Sequence, residues 1–228
     1  MIIRELSCIF LHSVKTAGTS VEKWLCGPQI AYPPADGSER LFGYDADRNI
    51  FLQHATAAVA RDLVGEETFW RCYRFSVVRN PFSRVLSMWF YNNPKREARF
   101  GTFETMLRAL PELVAAATPS DYYFLPQTAY THLDGAPCCD AVVRLEDLPD
   151  SLEPVAAHLG IGRPLPFLNV SRHPQRGSRP PASFYTPETA QIVAEAYAGD
   201  FTAFGYSTDV RRSNAGAEPS PAMASAGR

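Results

Sequence analysis

Two apolar segments of the sequence each end in a short polar loop with one cationic side chain, and each loop leads into a helical pattern. The first is FLHSVKTAGTSVEKWL, from Phe10 to Leu25, and the second is FSVVRNPFSRVLSMWF, from Phe75 to Phe90. A buried strand that feeds a helix through a short connection is the repeating unit of α/β folds. Because ligands of open α/β sheets bind beyond the carboxyl ends of the strands, both loops are candidate binding sites.

The first loop carries the donors that a phosphate group requires. Backbone N–H groups at a helix start lack partners, and the helix dipole adds positive potential there. Lys15 supplies a full charge, and Thr16, Thr19 and Ser20 supply hydroxyl groups. The loop is not a Walker A loop, because its lysine precedes Gly18 instead of following the second glycine. An ordinary strand–turn–helix with a capping threonine fits this stretch equally well.

The second loop places Arg79 just beyond the second apolar strand. A guanidinium presents paired donors that suit phosphate oxygens. Ser83 and Ser87 lie beside the apolar stripe of the following helix, and Ser87 is placed to join Arg79 around one anion. A surface arginine paired with a carboxylate is the alternative interpretation. Two cationic sites at strand ends predict a ligand with two separated anionic groups.

The remaining pattern predicts an α/β fold with a mostly parallel central sheet flanked by helices. Further elements are a helix in the latter part of Gln53–Gly65 and a strand over Asp140–Leu145 that leads into the acidic start of another helix. A last helix begins after Thr186, with Pro187 at its first position. We expect one domain over residues 1–210 and a disordered Ala/Gly/Ser/Pro tail over 211–228.

Composition excludes several classes of function. A net charge of −2 provides no general basic field for nucleic acid or a membrane surface. Five cysteines without framework spacing favour reduced thiols over a disulfide scaffold. No segment approaches the length of a spanning helix, so we expect a cytoplasmic protein without stable membrane insertion.

Both loop segments resemble those of a known enzyme family. FLHSVKTAGTSVEKWL is similar to the 5′-phosphosulfate-binding segment of sulfotransferases that use 3′-phosphoadenosine-5′-phosphosulfate (PAPS), and FSVVRNPFSRVLSMWF is similar to their 3′-phosphate-binding segment. QHATA, VVRLEDL and YAGDFTAFGY extend the resemblance over Leu6 to about Tyr206. By these motifs the chain resembles in particular the carbohydrate O-sulfotransferases of the heparan sulfate 2-O-sulfotransferase type.

The resemblance implies a P-loop nucleotide-kinase-like fold and PAPS as co-substrate, with no metal. It assigns the 3′-phosphate to Arg79 and Ser87. The catalytic residues that it implies are Lys15, which stabilises the leaving group, and His54, which acts as base. It assigns the 5′-phosphosulfate to Lys15, Thr16, Ala17, Gly18, Thr19 and Ser20.

Two other side chains compete with His54 for the role of base. His12 lies at the strand end, where a packed residue that hydrogen-bonds the loop is the favoured interpretation. Glu22 lies one turn into the helix, where we expect a solvent-facing or salt-bridged side chain. The implied acceptor is a carbohydrate hydroxyl, and the segments Pro28–Asn49 and Lys95–Tyr130 are expected to shape its cleft.

The sequence departs from the family pattern in two places. Ser13-Val14 stands where relatives have Ile-Pro, and Ala17 stands in place of a glycine. Because a Cβ disfavours left-handed backbone, we expect a differently shaped loop at Ala17. Val170 stands where relatives carry a lysine, for which the nearby Arg172, Arg176 and Arg179 could substitute.

Two further functions remain open at the level of sequence. One is a P-loop-like kinase that uses ATP, against which the position of Lys15 and the lack of an Mg²⁺-binding aspartate after a strand both count. The other is a non-catalytic nucleotide- or glycan-binding protein. The joint presence of Lys15, Arg79, Ser87 and His54 argues for the enzyme.

Overall fold

The computed structural model describes residues 1–28, 30–32, 37, 39–91, 93–166, 168 and 177–213. The strands within them are β1 (Ile2–Ile3), β2 (Cys8–Phe10), β3 (Tyr44–Asp45), β4 (Ile50–Phe51), β5 (Tyr73–Val78), β6 (His132–Leu133), β7 (Ala136–Pro137) and β8 (Ala141–Arg144). The α-helices are α1 (Gly18–Cys26), α2 (Ala57–Val64), α3 (Glu66–Arg71), α4 (Pro81–Phe90), α5 (Asn93–Phe100), α6 (Phe103–Arg108), α7 (Leu110–Ala115), α8 (Thr128–Thr131), α9 (Glu153–Leu159), α10 (Pro187–Ala196) and α11 (Ala198–Phe204).

The chain divides into two compact units. Unit 1 comprises Met1–Val78 and Thr118–Asn169, and unit 2 comprises Arg79–Ala117 and Val170–Arg228. The single domain expected over 1–210 stays a prediction. Of the expected tail, residues 214–228 lie outside the described part of the chain, as do Val170, Arg172 and Arg176.

A four-stranded sheet in the order β1-β2-β5-β8 forms the centre of unit 1. β5 pairs in parallel with both β2 and β8, whereas β1 is antiparallel to β2. The register places Phe10 beside Phe75 and Val77 beside Val143. These side chains are buried, as expected for parallel strands covered by helices. The predicted mixed α/β fold with a largely parallel central sheet is therefore confirmed.

Helices α1 and α9 cover this sheet. Val21 and Trp24 of α1 and Val155 of α9 belong to the same buried cluster as the strand residues. The third predicted strand is β8, but the acidic segment after it differs from expectation. Leu145–Asp147 is a single 3₁₀ turn, and the next helix, α9, starts only at Glu153.

In unit 2, helix α4 begins where its capping signals predict. The Asn80 side chain accepts a hydrogen bond from the Phe82 N–H at 3.0 Å, and Pro81 occupies the first position, where an N–H is not needed. The burial of α4 differs from the expected one-sided stripe. All ten residues from Pro81 to Phe90 are buried, including Ser83 and Ser87.

A buried ion pair connects α4 with α11 in unit 2. Arg84 and Asp200 have no exposed side-chain surface, and their charged atoms lie 3.9 Å apart. The Arg84 guanidinium also lies 5.5 Å from the ring centre of Tyr197. Burial of an arginine requires a compensating charge, which Asp200 provides.

The last predicted helix is in fact two helices. Thr186 caps α10 and exchanges hydrogen bonds with Thr189, so the predicted start is confirmed. The helix breaks at Tyr197, whose φ of −116° and ψ of 29° are not helical. The Tyr197 carbonyl then accepts the first hydrogen bond of α11 from Asp200 at 2.9 Å. The break brings both Tyr197 and Asp200 to Arg84.

None of the helices in the described part of the chain combines the length and apolar character needed to cross a bilayer. All five cysteines are free thiols.

Candidate active site

The loop between β2 and α1 contains two residues in left-handed backbone conformation. Lys15 has φ of +67° and Ala17 has φ of +63°. Ala17 therefore adopts the left-handed backbone that its Cβ was expected to disfavour, and the expectation of a differently shaped loop stays a prediction. The strain costs roughly 1–2 kcal/mol at such a residue. Left-handed residues that alternate with an ordinary one, here Thr16, form a concave row of N–H groups that binds anions.

Backbone donors line this loop. Among the described residues, none accepts a hydrogen bond from the N–H groups of Ala17, Gly18 or Thr19, whereas the Ser20 N–H is bound by the Ala17 carbonyl. Lys15, Ala17 and Thr19 are half-buried and therefore reachable from solvent. The start of α1 thus offers three N–H groups and one lysine to an anion.

The hydroxyl groups of the loop have different surroundings. Thr16 Oγ1 donates to the Ser13 carbonyl at 2.7 Å, and Ser20 Oγ accepts from the Leu168 N–H at 3.0 Å. These two side chains hold the loop in shape. The Ser13 hydroxyl is fully buried and has no hydrogen-bond partner among the described residues. Such a group is unusual in a folded protein and is expected to bind a ligand atom or water.

The His12 side chain packs beneath the start of α1. Its Nδ1 lies 2.9 Å from Glu22 Oε1, and both side chains are buried. Tyr32 donates a second hydrogen bond to Glu22 Oε2 at 3.3 Å. Burial alone would raise the pKa of Glu22, but His12 and Tyr32 outweigh it and keep this pKa below its ordinary value. His12 is therefore a packed residue as expected, with its ring bound to α1.

Gly18 is required by this packing. A Cβ at residue 18 would overlap the imidazole ring of His12. We expect Gly18→Ala to lower the free energy of unfolding by about 1–3 kcal/mol, because His12 must leave its position under α1. A thermal unfolding midpoint several degrees below that of the native chain would show this. Gly162→Ala is the control, since a Cβ there meets no atom within 4 Å. Equal midpoints for the two variants would contradict the packing role.

His54 lies against the same loop. Its Nδ1 is 3.1 Å from the His12 carbonyl oxygen, which can only accept. Nδ1 must therefore carry the proton, and in the neutral ring Nε2 is a lone-pair acceptor. The ring stacks on Tyr122 at 4.5 Å between centroids and contacts the His12 ring at 4.3 Å. His54 thus lies beside the loop with Nε2 as the acceptor nitrogen of its neutral ring.

The protonation state of His54 gives a pH prediction. Burial, and secondly the electrostatic influence of His12, hold the pKa of His54 well below its ordinary value of 6.5. The imidazole is therefore neutral at pH 7 and loses its basic form only in more acidic solution. We expect the acidic limb of the kcat/KM profile to have its midpoint below pH 6.5. A midpoint at or above that pH would contradict a buried base.

Arg79 and Ser87 belong to unit 2. Arg79 is the residue directly after β5 and is half-buried. Burial raises the pKa of Tyr185 well above its ordinary value, and the charge of Arg79 acts in the opposite direction, so the two side chains are near each other. Ser87 lies one helical turn after Ser83 on the buried helix α4.

The sequence left the surroundings of one side chain of the site open and missed another side chain. Of the two expectations for Glu22, solvent-facing or salt-bridged, the salt-bridged one is confirmed, with the buried His12 as its partner. Tyr122, which stacks on His54, was missed, because its segment carries no motif.

Within the described ranges, no three side chains of His, Cys, Asp or Glu come together in a way that could hold a metal ion. The polar groups described at this site are a lysine, backbone N–H donors and an imidazole. These groups can bind an anion and accept a proton.

The comparisons with known proteins identify the family. The model of the family described as "Sulfotransferase family" matches residues 8–207, which includes the loop, His54, Arg79 and Ser87. No curated protein and no solved structure matches the chain significantly. Because the match covers most of the sequence, the chain belongs to the sulfotransferase family.

Proposed function

We propose that the protein transfers a sulfuryl group from PAPS to an acceptor hydroxyl of a carbohydrate. The observation that carries this proposal is the hydrogen bond of 3.1 Å between His54 Nδ1 and the His12 carbonyl, which holds a neutral base next to the anion-binding loop. Sulfuryl transfer needs both elements at one place, since the acceptor oxygen must lose its proton where the leaving group is bound.

The loop would bind the 5′-phosphosulfate. No described residue accepts from the N–H groups of Ala17, Gly18 and Thr19, which leaves them as donors for the ligand, and Lys15 adds a positive charge beside them. These groups stabilise the negative charge that develops on the bridging oxygen when the sulfur–oxygen bond breaks. The buried Ser13 hydroxyl fits the same role, because it lies in the loop without a partner among the described residues.

His54 would complete the reaction. The acceptor oxygen forms a bond to sulfur, and the bond between sulfur and the 5′-phosphate oxygen breaks with its electron pair on the phosphate. The acceptor proton moves to His54 Nε2, which is the basic nitrogen of the ring. The products are a sulfate ester and adenosine 3′,5′-bisphosphate.

Arg79 and Ser87 would bind the 3′-phosphate. This assignment rests on the resemblance of FSVVRNPFSRVLSMWF to the 3′-phosphate segment and on the suitability of a guanidinium for phosphate. Three further expectations stay predictions from the sequence: a P-loop-like fold relationship, similarity to the heparan sulfate 2-O type, and a cytoplasmic location.

An assay with sulfate-labelled PAPS against glycans and small alcohols tests the proposal. With the native protein, we expect a labelled sulfate ester of the acceptor and a stoichiometric amount of adenosine 3′,5′-bisphosphate as products. Thermal shift separates the alternatives: adenosine 3′,5′-bisphosphate without metal should stabilise the protein by mass action, and ATP with Mg²⁺ should not. Stabilisation by ATP–Mg²⁺ alone would favour the kinase, and nucleotide binding without transfer to any acceptor would favour the non-catalytic protein.

A further inference from the structure

A row of aromatic rings runs from the surface of unit 1 to His54. We call Tyr44, Phe51, Tyr122 and His54 the aromatic ladder. Successive ring centroids are separated by 5.1 Å from Tyr44 to Phe51, 6.0 Å from Phe51 to Tyr122 and 4.5 Å from Tyr122 to His54. The rings come from three segments: the β3–β4 hairpin, the 3₁₀ turn that contains His54, and the 3₁₀ segment Pro119–Phe124.

The outer rings of the ladder are exposed. Tyr44 is 51% exposed and Phe51 is 43% exposed. Exposed aromatic side chains that touch one another form a continuous apolar surface, which in soluble proteins marks a binding site more often than single exposed residues do. The segments Pro28–Asn49 and Lys95–Tyr130 were expected to shape the acceptor cleft, and Tyr44 and Tyr122 come from them.

A cavity of about 300 Å³ adjoins the ladder. Tyr44 and Leu52 line it together with the ionisable side chains of Asp45, Arg48 and Asp62. Arg48 donates to Asp45 at 2.8 Å, so its guanidinium is already occupied by a carboxylate. Arg61 in turn lies 3.4 Å from Asp62, so each carboxylate of the lining has an arginine partner. The lining thus offers a sulfated or uronic-acid chain no cation that is not already neutralised by a carboxylate, whereas the carboxylate oxygens can still accept hydrogen bonds from the hydroxyl groups of a neutral sugar.

We propose that the aromatic ladder and this cavity form the acceptor subsite and that they bind a neutral oligosaccharide, stacked on the rings with one hydroxyl presented to His54. The faces of aromatic rings carry negative charge density, and the C–H groups on a pyranose face carry partial positive charge. A sugar can thus stack on Tyr44 and Phe51 while its hydroxyl groups bind in the cavity. The inference rests on the proposed function for the role of His54.

Calorimetric titration of the native protein tests the subsite without requiring turnover. The probes are maltohexaose and cellohexaose, which are neutral, and a heparin hexasaccharide, which is polyanionic. We expect at least one neutral probe to bind more tightly than the heparin fragment. Tighter binding of the heparin fragment, or no binding of either neutral probe, would overturn the inference.

Variants of Phe51 locate the binding to the ladder. Phe51→Leu keeps an apolar side chain but removes the ring face, and we expect it to weaken neutral-probe binding roughly tenfold. Phe51→Tyr keeps the ring and should bind within about twofold of the native protein. Trp70→Leu is the matched control, since Trp70 is 47% exposed but packs on Phe69 and Arg74, outside the ladder. Equal losses in Phe51→Leu and Trp70→Leu, or none in Phe51→Leu, would overturn the assignment.

The outcome also distinguishes this inference from the proposed function. Neutral sugar binding that depends on Phe51, without sulfate transfer from PAPS to any sugar, would refute the sulfotransferase activity and leave the sugar subsite standing. Sulfate transfer that is insensitive to Phe51→Leu, with unchanged KM for the acceptor, would refute the subsite and leave the activity standing.

Discussion

Replacing His54 by asparagine is expected to lower the rate of sulfate transfer by about 10²- to 10⁴-fold, the usual contribution of a general base. Asparagine is chosen because its side-chain N–H can still donate to the His12 carbonyl, as His54 Nδ1 does at 3.1 Å. The variant therefore keeps the local contact but has no nitrogen in the place of Nε2. Affinity for adenosine 3′,5′-bisphosphate should stay within a few-fold, since His54 is not assigned to the nucleotide.

Single-turnover rates and calorimetric affinities of the His54→Asn protein separate these two effects. His158→Asn is the matched control, because His158 is an exposed histidine of unit 1 that stacks on Tyr73, away from the loop. Turnover in His54→Asn at the native rate would remove His54 from the mechanism. A parallel loss of nucleotide affinity would assign it to binding instead.

Replacing Lys15 by alanine is expected to lower kcat by about 10²- to 10³-fold, because a cation aimed at the developing charge on the leaving oxygen is lost. Alanine at this position meets the same left-handed backbone as lysine, whose φ is +67°, so the strain in the loop is unchanged. Nucleotide affinity should fall as well, since Lys15 also contributes to the bound state.

Lys23→Ala is the control for Lys15→Ala. Lys23 is an exposed lysine of α1, the helix that follows the loop, and its removal changes the net charge equally. Kinetics of both variants with labelled PAPS should show the loss in Lys15→Ala alone. Equal activities in the two variants would show that Lys15 has no role in the reaction. The 5′-phosphosulfate would then be bound by the backbone N–H groups alone.

Local sequence signals predicted the elements of this fold well. Asn80-Pro81 and Thr186-Pro187 determine the starts of α4 and α10 through their own caps, so the information lies within a few residues. The parallel strands followed from short apolar runs. The break at Tyr197 was not predicted in this way. It accompanies the buried pair of Arg84 and Asp200, and a contact between residues so far apart in the sequence leaves no local signal.

In the candidate site, too, local features could be predicted from the sequence and contacts between distant segments could not. The loop, Lys15 and His54 were recognisable from residue types and from the resemblance to sulfotransferases. The side chains that contact the two histidines of the site could not be recognised in this way. Glu22 binds His12 across a strand–loop–helix connection, and Tyr122 stacks on His54 from a segment distant in the sequence. The left-handed Ala17 was also unforeseen, because the surrounding structure outweighs its backbone preference.

The use of a 3′-phosphorylated donor is tested most directly by a calorimetric titration of the native protein, without metal, with adenosine 3′,5′-bisphosphate and with adenosine 5′-phosphate. We expect the bisphosphate to bind at least tenfold more tightly, which corresponds to about 1.4 kcal/mol, and we expect Arg79→Ala to abolish this preference. Equal affinity for the two nucleotides in the native protein, or binding of neither, would contradict the claim that this chain uses a 3′-phosphorylated sulfate donor.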